Sequence, residues 1–250
     1  MRDNRTIFFI IGLLLAAVAV GMLLPAMADA AIGHHDWQVF VASALVTGFI
    51  AGALILTNRG TLPPLSVKQA FLLTSLSWLA LTGFAALPFA FSGLNLSYTD
   101  AFFEAMSGLT TTGATIITNL DQAPPGILLW RALLQWFGGI GIIVMAISVL
   151  PMLNVGGMQL FRLESSDTSE KILPRTAQIA GSITRLYFAI TLACMLAYVI
   201  AGMAVFDAVA HAMTTIATGG FSTRNESFGA FGPSVAGVAI IFMLASSLPF

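Results

Sequence analysis

Asp100-Ala-Phe-Phe-Glu-Ala-Met-Ser-Gly-Leu-Thr-Thr-Thr-Gly-Ala-Thr115 decides how this chain is read, because its pattern returns as Asp207-Ala-Val-Ala-His-Ala-Met-Thr-Thr-Ile-Ala-Thr-Gly-Gly-Phe-Ser222. Each copy has an acidic start, a short apolar run, and an end of Thr, Gly and hydroxyl residues. Asp100 to Leu109 predicts a helix about 15 Å long, half the thickness of a bilayer's hydrocarbon. The Thr110–Thr115 segment beyond it lacks a helical pattern. Non-helical backbone at that depth survives only where it faces protein or water. A helix that enters halfway and returns as a Thr/Gly loop can aim carbonyl oxygens at a dehydrated cation. The C-terminal end of such a helix carries about half a negative elementary charge, which favours a cation there. Gly113 and Gly220 hold matching positions, and glycine permits the backbone turns that such a loop needs. Thr111, Thr112 and Thr218 supply hydroxyls to tie the loops to their walls or to ligate, and Gly219 adds freedom to the second copy.

The segments around both copies belong in lipid. Hydrophobic residues make up 58% of the chain and charged residues 8%, with a mean hydropathy of +0.93. Soluble domains carry about 25% charge. Six apolar stretches stand out: Ile7–Met27, Trp37–Leu56, Phe71–Phe91, Ile127–Leu153, Ile183–Phe206 and Val235–Phe250. All but the last reach the roughly 20 residues that a crossing requires. Ile7–Met27 follows Arg2 and Arg5 as a signal peptide would, but its apolar core exceeds the about 7–15 residues of a signal. It reads as a retained membrane helix.

Lysine and arginine set the orientation. With the N-terminus in the cytoplasm, Arg2, Arg5, Arg59, Lys68, Arg162, Lys171, Arg175 and Arg185 fall inside, and only Arg131 and Arg224 fall outside. This bias obeys the positive-inside rule provided that neither repeated segment crosses completely. Asp29, Asp36, Asp100, Glu104, Asp121, Asp207 and Glu226 then lie on the outer side, as an acidic vestibule or as loop and cap residues. Asp100 and Asp207 read as N-caps. His211 stands where the first copy has Glu104, and reads as a satisfied structural histidine. Trp37, Trp130 and Trp136 fit an interfacial aromatic belt. Gly138-Gly-Ile-Gly141 reads as close helix packing, and Cys194 as a small buried hydrophobe. No basic cluster suggests nucleic acid, and no triad or phosphate-binding loop suggests an enzyme.

The first loop Thr111-Thr-Gly-Ala-Thr115, the second loop Ala217-Thr-Gly-Gly-Phe-Ser-Thr223, Trp130-Arg-Ala-Leu-Leu-Gln-Trp-Phe-Gly-Gly-Ile-Gly-Ile-Ile143 and Pro174-Arg175 resemble the Trk/Ktr/HKT superfamily of cation transporters, above all its bacterial TrkH/TrkG type. The resemblance implies an all-α membrane protein of helix–pore loop–helix (M1-P-M2) repeats related to potassium channels, preceded by a transmembrane hairpin. The expected layout is a hairpin over 1–60, a first unit over 61–153, a cytoplasmic linker over 154–182, and a second unit over 183–250. By the same resemblance Thr111, Thr112, Gly113 and Ala114 form one potassium-binding carbonyl ladder, and Thr218, Gly219, Gly220 and Phe221 form another. It further implies a homodimer in a bacterial inner membrane, with membrane lipid around it and no organic cofactor. A cytoplasmic nucleotide-binding regulatory subunit (TrkA-like) would dock at a surface including Gln159–Arg175. Two of four expected units are present, so the chain reads as a fragment of a potassium uptake protein, channel or symporter. The alternative is a secondary transporter of a small ion or solute with broken helices.

Overall fold

The computed structural model describes the backbone of residues 4–60, 65–153 and 169–247 and, within that span, the side chains outside 142–180. The apolar run near the start, Arg5–Ala31, contains an 18-residue window with a mean hydropathy of 2.9. It divides at Met22 into α1 (Arg5–Gly21) and α2 (Leu23–Ala31). Ile7, Ile11, Leu15 and Val18 recur at helical spacing and form a buried stripe. The stripe faces α3 (Trp37–Thr57), where Phe40, Ala44 and Ala51 are buried in turn. A Cβ on Gly12 would lie 3.1 Å from the Ala51 carbonyl oxygen. Small residues therefore let the hairpin's two backbones approach, as membrane helices require when lipid offers no hydrophobic drive.

Ser66 starts α4 (Val67–Ala85) through a capping box, its hydroxyl accepting from Gln69 N–H and the Gln69 side chain accepting from Ser66 N–H. This reciprocal pair satisfies two amides that the first helical turn would leave open. The path breaks at Ala86 and resumes as α5 (Leu87–Phe91), with Pro88 in its first turn. A half-length helix, α6 (Tyr98–Leu109), then a loop, lead into α7 (Pro125–Leu153). The order repeats as α8 (Ser169–Ile200), the short α9 (Val205–Ile216), a loop, and α10 (Pro233–Ser247). Four helical stretches among the described residues are long and apolar enough to cross a membrane. The chain is an all-α membrane protein of helix–loop–helix units behind a hairpin.

Several local boundaries differ from the sequence reading. Asp100 and Asp207 are not N-caps. Both sit inside the first turn, the first behind Ser97, whose hydroxyl accepts from Asp100 N–H at 3.2 Å. A carboxylate in that turn still meets the positive end of the helix dipole. The stretch expected to run to Phe206 ends at Ile200, because Gly202 turns left-handed at φ 97°. Met203 N–H then reaches back to the Tyr198 carbonyl, as in a glycine-terminated helix. At its other end α8 begins at Ser169, ahead of the apolar stretch expected from Ile183.

Trp130 and Trp136 do not form an interfacial belt, since both are buried. Trp130 donates its indole N–H to the Ala85 carbonyl, at the α4–α5 break, over 3.0 Å. Trp136 bonds the Thr191 hydroxyl of α8 at 3.1 Å. Each tryptophan finds its polar partner inside the helix bundle, so neither needs the headgroup region. Cys194 is buried, as its apolar setting predicts. The Arg162 side chain and the docking surface expected over 159–175 lie outside the described side chains.

Candidate functional site

The two repeated segments fold alike. In the first, Thr111 N–H donates to the Gly108 carbonyl and Thr112 N–H to that of Ser107, both at 2.9 Å. In the second, Thr218 N–H donates to Thr215 at 3.0 Å and Gly219 N–H to Thr214 at 2.9 Å. Thr111 (φ 55°) and Gly113 (φ 77°) are left-handed, as are Thr218 (φ 51°) and Gly220 (φ 82°). A left-handed backbone costs a residue with a Cβ roughly 1–2 kcal/mol. Threonine accepts this strain at the same place in both loops, where the helix-ending turn demands it. Neither loop continues as helix.

The loops also meet. A Cβ on Gly113 would collide with the Gly219 carbonyl oxygen, and one on Gly219 with the Gln135 side chain. Thr112 and Ala114 in one loop, and Thr218 and Gly220 in the other, are exposed, whereas Gly219 and Phe221 are turned inward. Helix α7 presses both from behind. Gly138 lies against the Leu109 backbone at the end of α6, and Gly139 against Ala217 at the end of α9. The expected glycine packing is therefore present at Gly138 and Gly139, against the ends of the two half-length helices and, for Gly139, the Tyr187 hydroxyl of α8 as well.

Behind the loops stands a polar wall that sequence reasoning did not assemble. Glu104 accepts from the Thr115 hydroxyl (2.9 Å), Ile116 N–H (3.0 Å) and Arg131 Nε (2.7 Å). Arg131 also donates Nη1 to the Ser222 carbonyl at 2.7 Å, and its guanidinium lies 4.0 Å from the Phe221 ring centre. One helical turn on, Gln135 donates Nε2 to the Gly219 carbonyl at 2.8 Å and accepts from Phe221 N–H at 3.1 Å. Glu104, Arg131 and Gln135 are essentially inaccessible, at 0%, 1% and 0% exposure. Breaking such a buried ion pair costs about 3–5 kcal/mol, because the remaining charge is left unpaired. The available signal was a charged and an amide residue four apart in an apolar helix, since ionisable residues at membrane depth point to function.

His211 occupies the place of Glu104 and contacts the equivalent hydroxyl. Its Nε2 pairs with the Ser222 hydroxyl at 2.9 Å and its Nδ1 with the Asp207 carbonyl at 2.8 Å. Both ring nitrogens are satisfied, and the residue braces its own loop. Asp207 accepts from the Thr223 hydroxyl at 2.6 Å and from Arg224 at 3.1 Å. Asn225 joins the two units where they emerge, accepting from Leu120 N–H at 2.8 Å and donating to Asp121 at 2.7 Å.

The acidic vestibule is correspondingly reduced. Asp29 is buried and accepts from Gly126 N–H at 2.6 Å, at the start of α7. Asp36 accepts from Gly93 N–H at 3.4 Å. Most of the expected acids are thus bonded to nearby amides, hydroxyls or arginines. Asp121 and Glu226 line an open cavity of about 490 Å³ together with Arg224, Asn225, Ala230 and Phe231.

With this geometry in view, the likenesses to known proteins are specific. The family described as "TrkH: Cation transport protein" matches residues 36–250. The chain is 42% identical to the Trk system potassium uptake protein TrkI of Halomonas elongata, over 100% of this chain and 51% of that protein. It is 43% identical to the Trk system potassium uptake protein TrkH of Escherichia coli K12, over 97% of this chain and 51% of the other. The crystal structure of the potassium transporter TrkH from Vibrio parahaemolyticus superposes with a TM-score of 0.89 at 39% identity, covering 100% of this chain and 51% of that one. The chain spans about half the length of these relatives. Matched over most of its residues, with the fold to agree, the chain belongs to the TrkH family of cation transport proteins.

Proposed function

We propose that this chain contributes two of the four filter units of a potassium uptake pore in a bacterial inner membrane. The observation that carries the reading is the pair of loops with equal handedness at equal positions, Thr111/Gly113 and Thr218/Gly220, whose backbones touch at Gly113 and Gly219. Carbonyl oxygens of Thr111, Thr112, Gly113 and Ala114, and of Thr218, Gly219, Gly220 and Phe221, replace the water shell of the ion. Gly219 can serve although Gln135 binds its oxygen, because a carbonyl has two lone pairs. The ends of α6 and α9 add their negative partial charges near the same place. Transport is then passive permeation through a dehydrating filter, with no chemical change in the cargo.

The ends holding Asp121 and Asn225 face the periplasm and the N-terminus faces the cytoplasm, in keeping with the distribution of lysine and arginine. The assembled protein is a homodimer regulated from the cytoplasm by a nucleotide-binding, TrkA-like subunit, as the resemblance of the paired loops implies; the names of the relatives add that they work within a Trk system. The unit boundaries at 1–60, 61–153, 154–182 and 183–250 follow from the same reading.

Gly113→Ser in the whole protein tests it. A side chain there is strained at φ 77° and runs into the neighbouring carbonyl, so the filter must distort. Potassium and sodium uptake into cells lacking other potassium uptake should show weakened discrimination. Unchanged selectivity at normal abundance in the membrane would remove the filter assignment.

A further inference from the structure

We propose that Arg131, Glu104 and Gln135 form a positioning clamp that sets the spacing of the two loops and thereby the ion selectivity of the pore. The inference rests on the filter reading above and adds to it the residues that hold the filter in register. Arg131 and Gln135 belong to the outgoing helix of the first unit, yet their loop contacts are with the second. Arg131 takes the Ser222 carbonyl and the face of Phe221, while Gln135 takes the Gly219 carbonyl and Phe221 N–H. The second loop is therefore gripped on both sides of Phe221. Glu104 holds the first loop through Thr115 and Ile116, and its ion pair with Arg131 closes the connection. A change in that pair's geometry moves one loop relative to the other.

The arrangement is one-sided. Helix α10, the outgoing helix of the second unit, carries no charged or amide side chain between Pro233 and Ser247. Among the described residues His211, in the place of Glu104, hydrogen-bonds only within its own segment. The grip thus joins the first unit to the second and is not repeated from α10. A guanidinium suits this task, since its planar fork can serve a carboxylate, a carbonyl and an aromatic face together. An ammonium is a point charge on a flexible stem and lacks the fork that fixes the three partners relative to one another.

The experiment compares two variants of the whole protein, each measured for abundance in the membrane and for the ratio of potassium to sodium transport. Arg131→Lys keeps a charge opposite Glu104 but loses the fork. Gln135→Met keeps the volume and leaves no buried charge behind. Each should lower the selectivity ratio about tenfold, comparable with losing one hydrogen bond, at an abundance within about twofold of the parent. A simple packing role would instead lower abundance and leave the ratio intact.

Gln135→Met decides the matter if Arg131→Lys fails to accumulate. An unchanged ratio in Gln135→Met at normal abundance overturns the clamp, and so does a loss of abundance with the ratio intact. Gly113→Ser, measured in parallel, separates the two ideas. If it alters selectivity while the clamp variant does not, the filter stands and the clamp falls. If neither does, both fall.

Discussion

Replacing Gly138 by alanine should displace a loop that the residue never bonds. A methyl there would overlap the Leu109 carbonyl oxygen and sit 2.7 Å from its carbon and 3.2 Å from its Cα. All three are backbone atoms, so no rotamer change relieves them. Restoring an ordinary carbon–oxygen separation of about 3.3 Å requires a relative shift on the order of 1 Å between α7 and the end of α6. Overpacking of this kind costs about 1–3 kcal/mol. It acts one residue before Thr110, where the first loop begins. Gly141→Ala is the control, because a Cβ at Gly141 has nothing among the described residues within 4 Å. Both substitutions favour helix by a similar amount of roughly 0.5–1 kcal/mol, so the difference between them isolates the contact. Thermal unfolding of the whole protein in detergent, with potassium and sodium uptake in cells, should show Gly138→Ala melting lower and less selective while Gly141→Ala resembles the parent. Equal melting and equal selectivity in the two variants would refute the close α6–α7 contact.

Two further substitutions address the supports around the loops. Trp130→Phe removes the donor to the buried Ala85 carbonyl and should destabilise the protein by about 1–3 kcal/mol; an unaltered melting temperature would show that the bond contributes nothing. Asp29→Ala strips the carboxylate from Gly126 N–H at the start of α7, with an expected loss of about 0.5–2 kcal/mol. Asp29→Asn keeps an acceptor there and should recover part of that loss, whereas an asparagine variant as unstable as the alanine one would contradict the capping role.

The half-length helices and their loops were legible because their causes are local. An apolar run too short to cross, followed by Thr and Gly, leaves backbone groups that only a re-entrant turn can accommodate, and the second copy repeats the pattern. Cys194 packing and the Gly138–Gly139 contact follow from residue size. Helix ends were less legible: Ser97 displaced Asp100 as the cap, and Gly202 stopped α8 early, because several residues in each stretch could have ended or begun the helix. Trp130 and Trp136 looked interfacial by type, and only the bundle supplied them with buried partners. The acids stay open between a vestibule and loop or cap roles for the same reason, since a charge pattern does not record which amide lies opposite.

Membrane residence, helical class and the paired loops were determined by the sequence itself, through hydropathy and the demand that every peptide group in lipid be bonded. The wall behind the loops was decided by tertiary structure alone. Glu104 and Arg131 are 27 residues apart, Arg131 and Ser222 are 91 apart, and Gln135 and Gly219 are 84 apart. A hydrogen bond is decided over about 3 Å, and no spacing along the chain encodes which groups folding will bring within that reach.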